Sequence, residues 1–249
     1  MIIKTLKNML NSIDMWKEEY VTKLPFNFDI EKLKQAIKEI ETMASFAPCA
    51  PEKSIADGQI CLTHTASEYN GKNNWYEGSG ELTIELKATS SGFDVIERVD
   101  PPVNADFTIF NEDAKDTYFY EVYQQLTTMY EIGRVRIMQF PAKGCLSWHV
   151  DLEERIHVPI ISNSGNILAI LNKNYHLPAN GSSYIANVIV PHSAFNGGFE
   201  TRYNLLCDII SYKPDAVTNL KLHSNPNIAT TMMMDWVNNE YDLSKMSVL

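Results

Sequence analysis

Apolar positions recur at helical spacing in two stretches of the chain. Ile30, Leu33, Ile37 and Ile40 fall on one face of a helix over 30–40, and Asp29 stands where an N-cap belongs. Tyr118, Val122, Leu126 and Met129 mark a second helix over 114–130, with Gly133 placed to end it. Both stripes are read as packing faces. Residues 59–96 mix β-branched and aromatic residues with turn signals at Asn70-Gly71 and Gly78-Ser79-Gly80, the pattern of a strand meander. Residues 134–140, 156–161, 167–171, 184–190 and 202–210 read as further short strands, and strands so closely spaced predict a small barrel or jelly roll. From Lys213 the chain changes again: Pro226 stands near a helix start, and Met232, Met233, Met234 and Trp236 cluster beyond it. No repeat or low-complexity linker intervenes, so the expected organisation is one mainly β domain with flanking helices over 1–212 and a helical extension over 213–249.

The 249 residues, 45% hydrophobic, suffice for one sizeable core. With 31 acidic against 21 basic side chains the net charge is -10, and no segment concentrates Lys and Arg, so nucleic acid is not an expected partner. No run approaches the roughly 18 apolar residues of a membrane span, and Met1 to Leu10 lacks a signal-peptide core, which makes the cytoplasm the expected location. Cys49, Cys61, Cys145 and Cys207 are widely spaced and without a C-x-x-C, the pattern of reduced, mostly buried thiols.

Chemistry concentrates in the second half. In Trp148-His149-Val150-Asp151 an extended backbone turns His149 and Asp151 to one face, where both reach a single ion, and Trp148 to the other. Alone, such a pair also suits a solvated ion pair on a surface strand. Pro191-His192 follows Asp151 by forty-one residues in a segment able to return beside the first. Two histidines and one carboxylate occupy one face of an octahedral ion and leave positions open, the facial triad of non-haem Fe(II) oxygenases, whereas zinc more often recruits a further His or Cys. Arg202, ten residues beyond His192, either faces solvent or holds something acidic through its planar fork. The alternation from Arg202 to Ile209 does not fix which face is inward.

The set His149-x-Asp151, Arg155-Ile156-His157-x-Pro159, Asn187, His192-Ser193-Ala194-Phe195-Asn196 and Arg202-Tyr203-x-Leu205-Leu206-x-Asp208 resembles the aspartyl/asparaginyl β-hydroxylase family, over about residues 134–210. That resemblance implies a double-stranded β-helix, a jelly roll of cupin type, and an oxygenase dependent on Fe(II) and 2-oxoglutarate. It implies His149, Asp151 and His192 as iron ligands, Arg202 on the distal carboxylate of 2-oxoglutarate, and Arg155 and His157 near the cosubstrate's other end. The interval from His149 to Arg155 is shorter than in the peptide-modifying members. Asn187 and Asn196 are expected to orient the distal histidine. Some members lack the carboxylate, and its presence as Asp151 favours hydroxylation. The implied reaction couples oxidative decarboxylation of 2-oxoglutarate to hydroxylation by dioxygen.

The expected function is therefore a dioxygenase that hydroxylates an unactivated carbon of a free, proline-like amino acid or of a residue in a peptide. One alternative is a jelly-roll protein that binds metal or a small acid without turnover. Another is a zinc hydrolase using Glu153 or Glu154 as base, which leaves Arg202 unexplained. His64, His176 and His223 are read as ordinary hydrogen-bonding or surface histidines.

Overall fold

Asp29 caps helix α1 (Ile30–Met43) as its position predicts, accepting from the backbone N–H groups of Glu31 and Lys32 at 3.0 and 3.1 Å. The computed structural model describes residues 19–48, 58–66, 75–76, 84–89, 92–98 and 104–217. Helix α2 (Tyr118–Leu126) is shorter at both ends than its apolar stripe predicts. Thr127 and Thr128 turn their hydroxyls back onto the carbonyls of Gln124 and Gln125, satisfying acceptors at the helix end, and a strand begins at Tyr130. Gly133 thus lies inside a strand. A Cβ there would stand 2.2 Å from the carbonyl oxygen of Asn104, so a close backbone approach, not a helix stop, requires this glycine.

Eight strands run consecutively from there: β8 (Tyr130–Phe140), β9 (Trp148–Val150), β10 (Arg155–Ile161), β11 (Asn166–Ile170), β12 (Lys173–Tyr175), β13 (Ser182–Ala186), β14 (His192–Asn196) and β15 (Arg202–Tyr212). One sheet takes β8, β15, β10 and β13 in the order β8-β15-β10-β13, and the other takes the rest in the order β12-β11-β14-β9. Every pairing is antiparallel. Strands that cross between two sheets in this order form a double-stranded β-helix, the predicted jelly roll.

Residues 59–96 are not one meander. Their described strands β3 (Gly58–Cys61), β4 (Thr63–His64), β5 (Ile84–Thr89) and β6 (Gly92–Arg98) divide between sheets. β3 pairs with β8, and β2 (Ala47–Pro48) extends it to the edge. The β5–β6 hairpin joins the other sheet against β9, while β4 pairs with β7 (Ile109–Phe110) in a separate ribbon. β1 (Val21–Asn27), which hydrophobic periodicity did not mark, adds to β13. The predicted strand over 184–190 ends at Ala186.

The period-two alternation of the larger sheet creates the site. Val135, Ile137, Ile156, Val158, Ile160, Leu205, Cys207 and Ile209 point to one face and form a single core with Leu33, Ile37 and Ile40 of α1 and Phe119, Val122 and Leu126 of α2. The intervening residues point into the barrel. Register places Arg155 opposite Asp208, His157 opposite Leu206 and Leu206 opposite Arg136 on that inner face. Helices covering one face therefore decide what sequence alternation leaves open: Arg202, Asn204 and Asp208 face inward.

Among the described residues no helix is long and apolar enough to cross a membrane. The Tyr130 hydroxyl donates to the Val217 carbonyl at 3.1 Å, and the predicted extension beyond 217, with its Met and Trp cluster, lies outside the described residues. So do Cys49, Asn70-Gly71 and Gly78-Ser79-Gly80. Cys61 and Cys207 are buried cysteines outside any disulfide, as expected, whereas Cys145 is exposed.

Candidate metal centre and adjoining cleft

Strand β9 brings His149 directly opposite His192 at the start of β14, and Asp151 follows one residue past the end of β9. All three are buried, and their ligating atoms lie within 4.8 Å of one another. The Asp151 Oδ2 stands 3.3 Å from His192 Nε2 and 4.0 Å from His149 Nε2, and the two imidazole centroids are 4.0 Å apart.

Each imidazole is held by its other nitrogen. His149 Nδ1 donates to the Ser147 carbonyl at 2.8 Å, and His192 Nδ1 donates to the Val190 carbonyl at 3.1 Å. Those bonds assign the proton to Nδ1 and present the Nε2 lone pairs toward Asp151. Burial, with His192 alongside, pushes His149 down to about 3, so its ring is neutral near neutral pH. Burial alone would raise Asp151, but Arg155 and the two histidines outweigh it and hold the carboxyl well below the usual range. Two imidazole nitrogens and one carboxylate oxygen, without thiolate, suit a first-row divalent ion such as Fe(II) and leave coordination positions for other ligands.

Arg155 engages two protein carboxylates. Its Nη1 forms an ion pair with Asp151 Oδ2, and its Nε donates to Asp208 Oδ1 at 2.6 Å. Asp208 is completely buried and also faces Arg134 Nε at 3.4 Å and Arg136 Nη2 at 3.5 Å. Sequence reasoning did not single out this cluster. Three cations from two strands around one aspartate on a third become visible only once register is known. The available signal was Arg134-Val135-Arg136 inside a strand-like segment, and Asp208 in an otherwise apolar run.

Beyond the triad a cleft is lined by His157, Pro159, Asn204 and Arg202 from the larger sheet and by Asn166, Leu168 and Ala194 from the smaller. Ala194 is two positions after His192, or about 7 Å along a strand, so the cleft continues from the ligand end of β14. Arg202 is partly buried, its guanidinium over the Phe140 ring at 5.0 Å. Among the described residues it has no carboxylate partner. Its Nε is sealed from solvent without a hydrogen bond, and burial lowers its pKa to about 10. His157 Nδ1 is 3.0 Å from Asn204 Nδ2, and His157 Nε2, Asn204 Oδ1 and Asn166 Oδ1 are also buried without a partner. Burial, then Arg202 and Arg155, push His157 down to about 3.

Other expected roles change. Asn196 ties the β14–β15 turn, donating to the carbonyls of Pro141 and Glu200 at 3.0 and 2.7 Å and accepting from Gly198 N–H. Asn187 is buried, but the carbonyl of Val190, not Asn187 or Asn196, orients His192. Glu153 accepts from Asn104 Nδ2 at 2.6 Å and Glu154 from the Tyr212 hydroxyl, so neither stands in the ligand cluster as a hydrolase base. His64 and His176 bond to backbone carbonyls away from it, and His223 lies outside the described residues.

The two depressed histidines set an acid dependence. In the unfolded chain they take up protons near 6.5, whereas His149 and His157 resist until about 3, so acid favours unfolding across that window. Asp151 and Asp208, also depressed, add their loss only as the pH falls below 3.8. Glu153, raised to about 7 by burial, opposes one of these two histidines over the same window, so the thermal midpoint of metal-free protein is expected to fall modestly from about pH 6.5 to about pH 4.5, and a midpoint that rises across that range contradicts the placement of these rings.

No protein-family model matches the chain, and no curated protein matches it. Among solved structures, the chain is similar to an oxidoreductase of the 2OG-Fe(II) oxygenase family from Burkholderia pseudomallei, 12% identical over 76% of this chain and 84% of that one, with a TM-score of 0.42. It is also similar to a prolyl hydroxylase from Trichoplax adhaerens solved with a hypoxia inducible factor peptide fragment, 9% identical over 83% and 91%, TM-score 0.44. A cupin domain from Bordetella pertussis Tohama I aligns at 22% identity over 32% of this chain and 84% of that one, TM-score 0.29. With likenesses this distant, the fold rests on the strand order and the function on the chemistry of the site.

Proposed function

We propose that the chain is an Fe(II)- and 2-oxoglutarate-dependent dioxygenase that hydroxylates an unactivated carbon of a free amino acid of proline-like size, or of a residue in a peptide. The observation that carries this reading is one barrel interior holding both a buried His149–Asp151–His192 cluster and a cleft ended by the guanidinium of Arg202, which has no carboxylate partner among the described residues. A partly buried cation with a sealed, unbonded Nε is a ready partner for an anionic ligand. A facial set of three ligands leaves positions for a chelating acid and dioxygen.

His149, Asp151 and His192 would hold the iron. Arg202 would take the distal carboxylate of 2-oxoglutarate through its fork, with its face stacked on Phe140 and its direction thereby set. His157 and Asn204 offer polar atoms along the cleft, while Leu168, Leu177 and Ala194 exclude water from its wall. The Ser147 and Val190 carbonyls keep both histidine rings in the tautomer that binds metal. When bound, the iron supplies oxidation by dioxygen, in which 2-oxoglutarate yields succinate and carbon dioxide and one oxygen atom enters a C–H bond of the substrate.

The test is turnover of Fe(II)-loaded protein with 2-oxoglutarate across a panel of free amino acids and short peptides. Succinate forming one-to-one with a product that has gained one oxygen supports the reading. Loaded protein that consumes no 2-oxoglutarate, with or without any panel member, removes it.

A further inference from the structure

The resemblance in sequence assigns Arg155 to the cosubstrate, but the structure sets two of its three nitrogens against protein carboxylates. Its side chain is 12% exposed and bridges two carboxylates, Nη1 on Asp151 Oδ2 and Nε on Asp208 Oδ1. The bridge is fixed from behind. Asp208 lies directly across the β10–β15 pairing from Arg155, is fully buried, and has its second oxygen facing Arg134 and Arg136. Asp208 therefore cannot turn away without giving up its contacts to three guanidinium groups at once.

Asp151 is less constrained by its own backbone. It stands past the end of β9, where its N–H donates to the Val188 carbonyl at 3.0 Å. What remains to orient its side chain is Arg155. The oxygen that Arg155 meets is the same Oδ2 that faces both histidine Nε2 atoms. The guanidinium of Arg155 pairs with this oxygen as an ion, and both imidazole Nε2 atoms face the same oxygen, so the Arg155 charge fixes the carboxylate atom that the two rings converge on.

We propose that Arg155 is a positioning residue for the metal-ligating carboxylate of Asp151, and that Asp208 is the anchor that holds Arg155 in place. This rests on the reading of His149, Asp151 and His192 as the metal site. Two arginines of one barrel then have different roles, Arg202 binding the cosubstrate and Arg155 preparing the ion's oxygen ligand. Lysine is no substitute at position 155, because a point charge cannot span both carboxylates as the planar fork does.

The experiment titrates metal-free protein with Mn(II), following the sharp electron paramagnetic resonance signal of the free ion, in wild type, R155Q, R155K and D208N. The binding of 2-oxoglutarate is then measured at saturating metal. R155Q is expected to weaken Mn(II) binding by about 10- to 100-fold, with R155K intermediate and the 2-oxoglutarate dissociation constant changed by less than about threefold. D208N is expected to weaken Mn(II) binding as well, and R155Q combined with D208N to weaken it little further than either alone, because both act through one bridge. Metal-free thermal melts identify variants that fold. Where R155Q does not fold, R155K carries the test, and its expected several-fold weakening of Mn(II) is read in the same way.

Unchanged Mn(II) affinity in folded R155Q overturns the proposal. Tighter Mn(II) binding also overturns it and shows instead that Arg155 competes with the ion for Oδ2. A loss confined to 2-oxoglutarate affinity overturns it in favour of a cosubstrate role. Wild-type protein that binds no Mn(II) removes the metal-site reading itself, which distinguishes that failure from a failure of Arg155 alone.

Discussion

Truncation of Arg202 to Ala is expected to weaken 2-oxoglutarate binding by about 30-fold or more while leaving the affinity for metal within a few-fold of wild type. The magnitude follows from what the substitution leaves behind. In the bound state the distal carboxylate is desolvated, and removing the cation strands it, a loss of about 2–5 kcal/mol for a buried charge pair, with every 1.4 kcal/mol a factor of ten. Little is lost in the free protein. Arg202 makes no ion pair there among the described residues, and its burial already disfavours the charge. R202K keeps the charge without the fork or the flat face over Phe140 and is expected to fall between the two. Cosubstrate dissociation constants, measured on folded protein with metal present, check the effect. An unchanged constant in R202A removes this residue's assignment.

Replacement of His192 by Ala is expected to weaken Fe(II) binding by more than about 100-fold and to abolish turnover, because partners that merely orient ligands already cost 10- to 100-fold and His192 is itself a ligand. With three protein ligands gathered in one cluster, no fourth stands ready among the described residues to replace a lost one. Removal of His192 also costs the fold little: its Nδ1 bonds one carbonyl, and Asp151 keeps Arg155 as counter-ion when the ring is gone. Removing Asp151 instead leaves Arg155 facing a void and confuses ligand loss with instability. Equilibrium dialysis against Fe(II) under anaerobic conditions, on variants whose melts match wild type, measures the loss. Retained binding in H192A places the metal elsewhere.

The parts of the site that sit close together in sequence were legible without coordinates. His149-x-Asp151 needs only an extended backbone to share a face, and β9 supplies it. The pairing of His192 with His149 required a topology, which the number and spacing of short strands correctly implied. Alternation in 202–209 was ambiguous because both faces of β15 are mostly buried, and only the packing of α1 and α2 on Leu205, Cys207 and Ile209 breaks the tie.

What sequence reading missed has physical reasons. The stripe over 114–130 is continuous, yet Thr127 and Thr128 compete for the helix's last carbonyls and Tyr130 pairs with Tyr212 in the sheet, so tertiary pairing ends the helix early. The Arg155–Asp208 bridge joins residues fifty-three apart, and nothing short of strand register sets them opposite each other. Proximity in sequence suggests Asn196 as a partner of His192. An amide with two donors and an acceptor is instead used up by the turn it closes.

In the proposed function the His149–Asp151–His192 cluster would hold the iron and Arg202 would hold the distal carboxylate of 2-oxoglutarate. An anaerobic titration of wild-type protein, first with Fe(II) and then with 2-oxoglutarate, tests this by following the visible metal-to-ligand charge-transfer absorption of the chelate. A saturable band that requires both components and is absent from H192A is the expected result. Wild-type protein that folds and binds Fe(II) yet gives no band on addition of 2-oxoglutarate contradicts it.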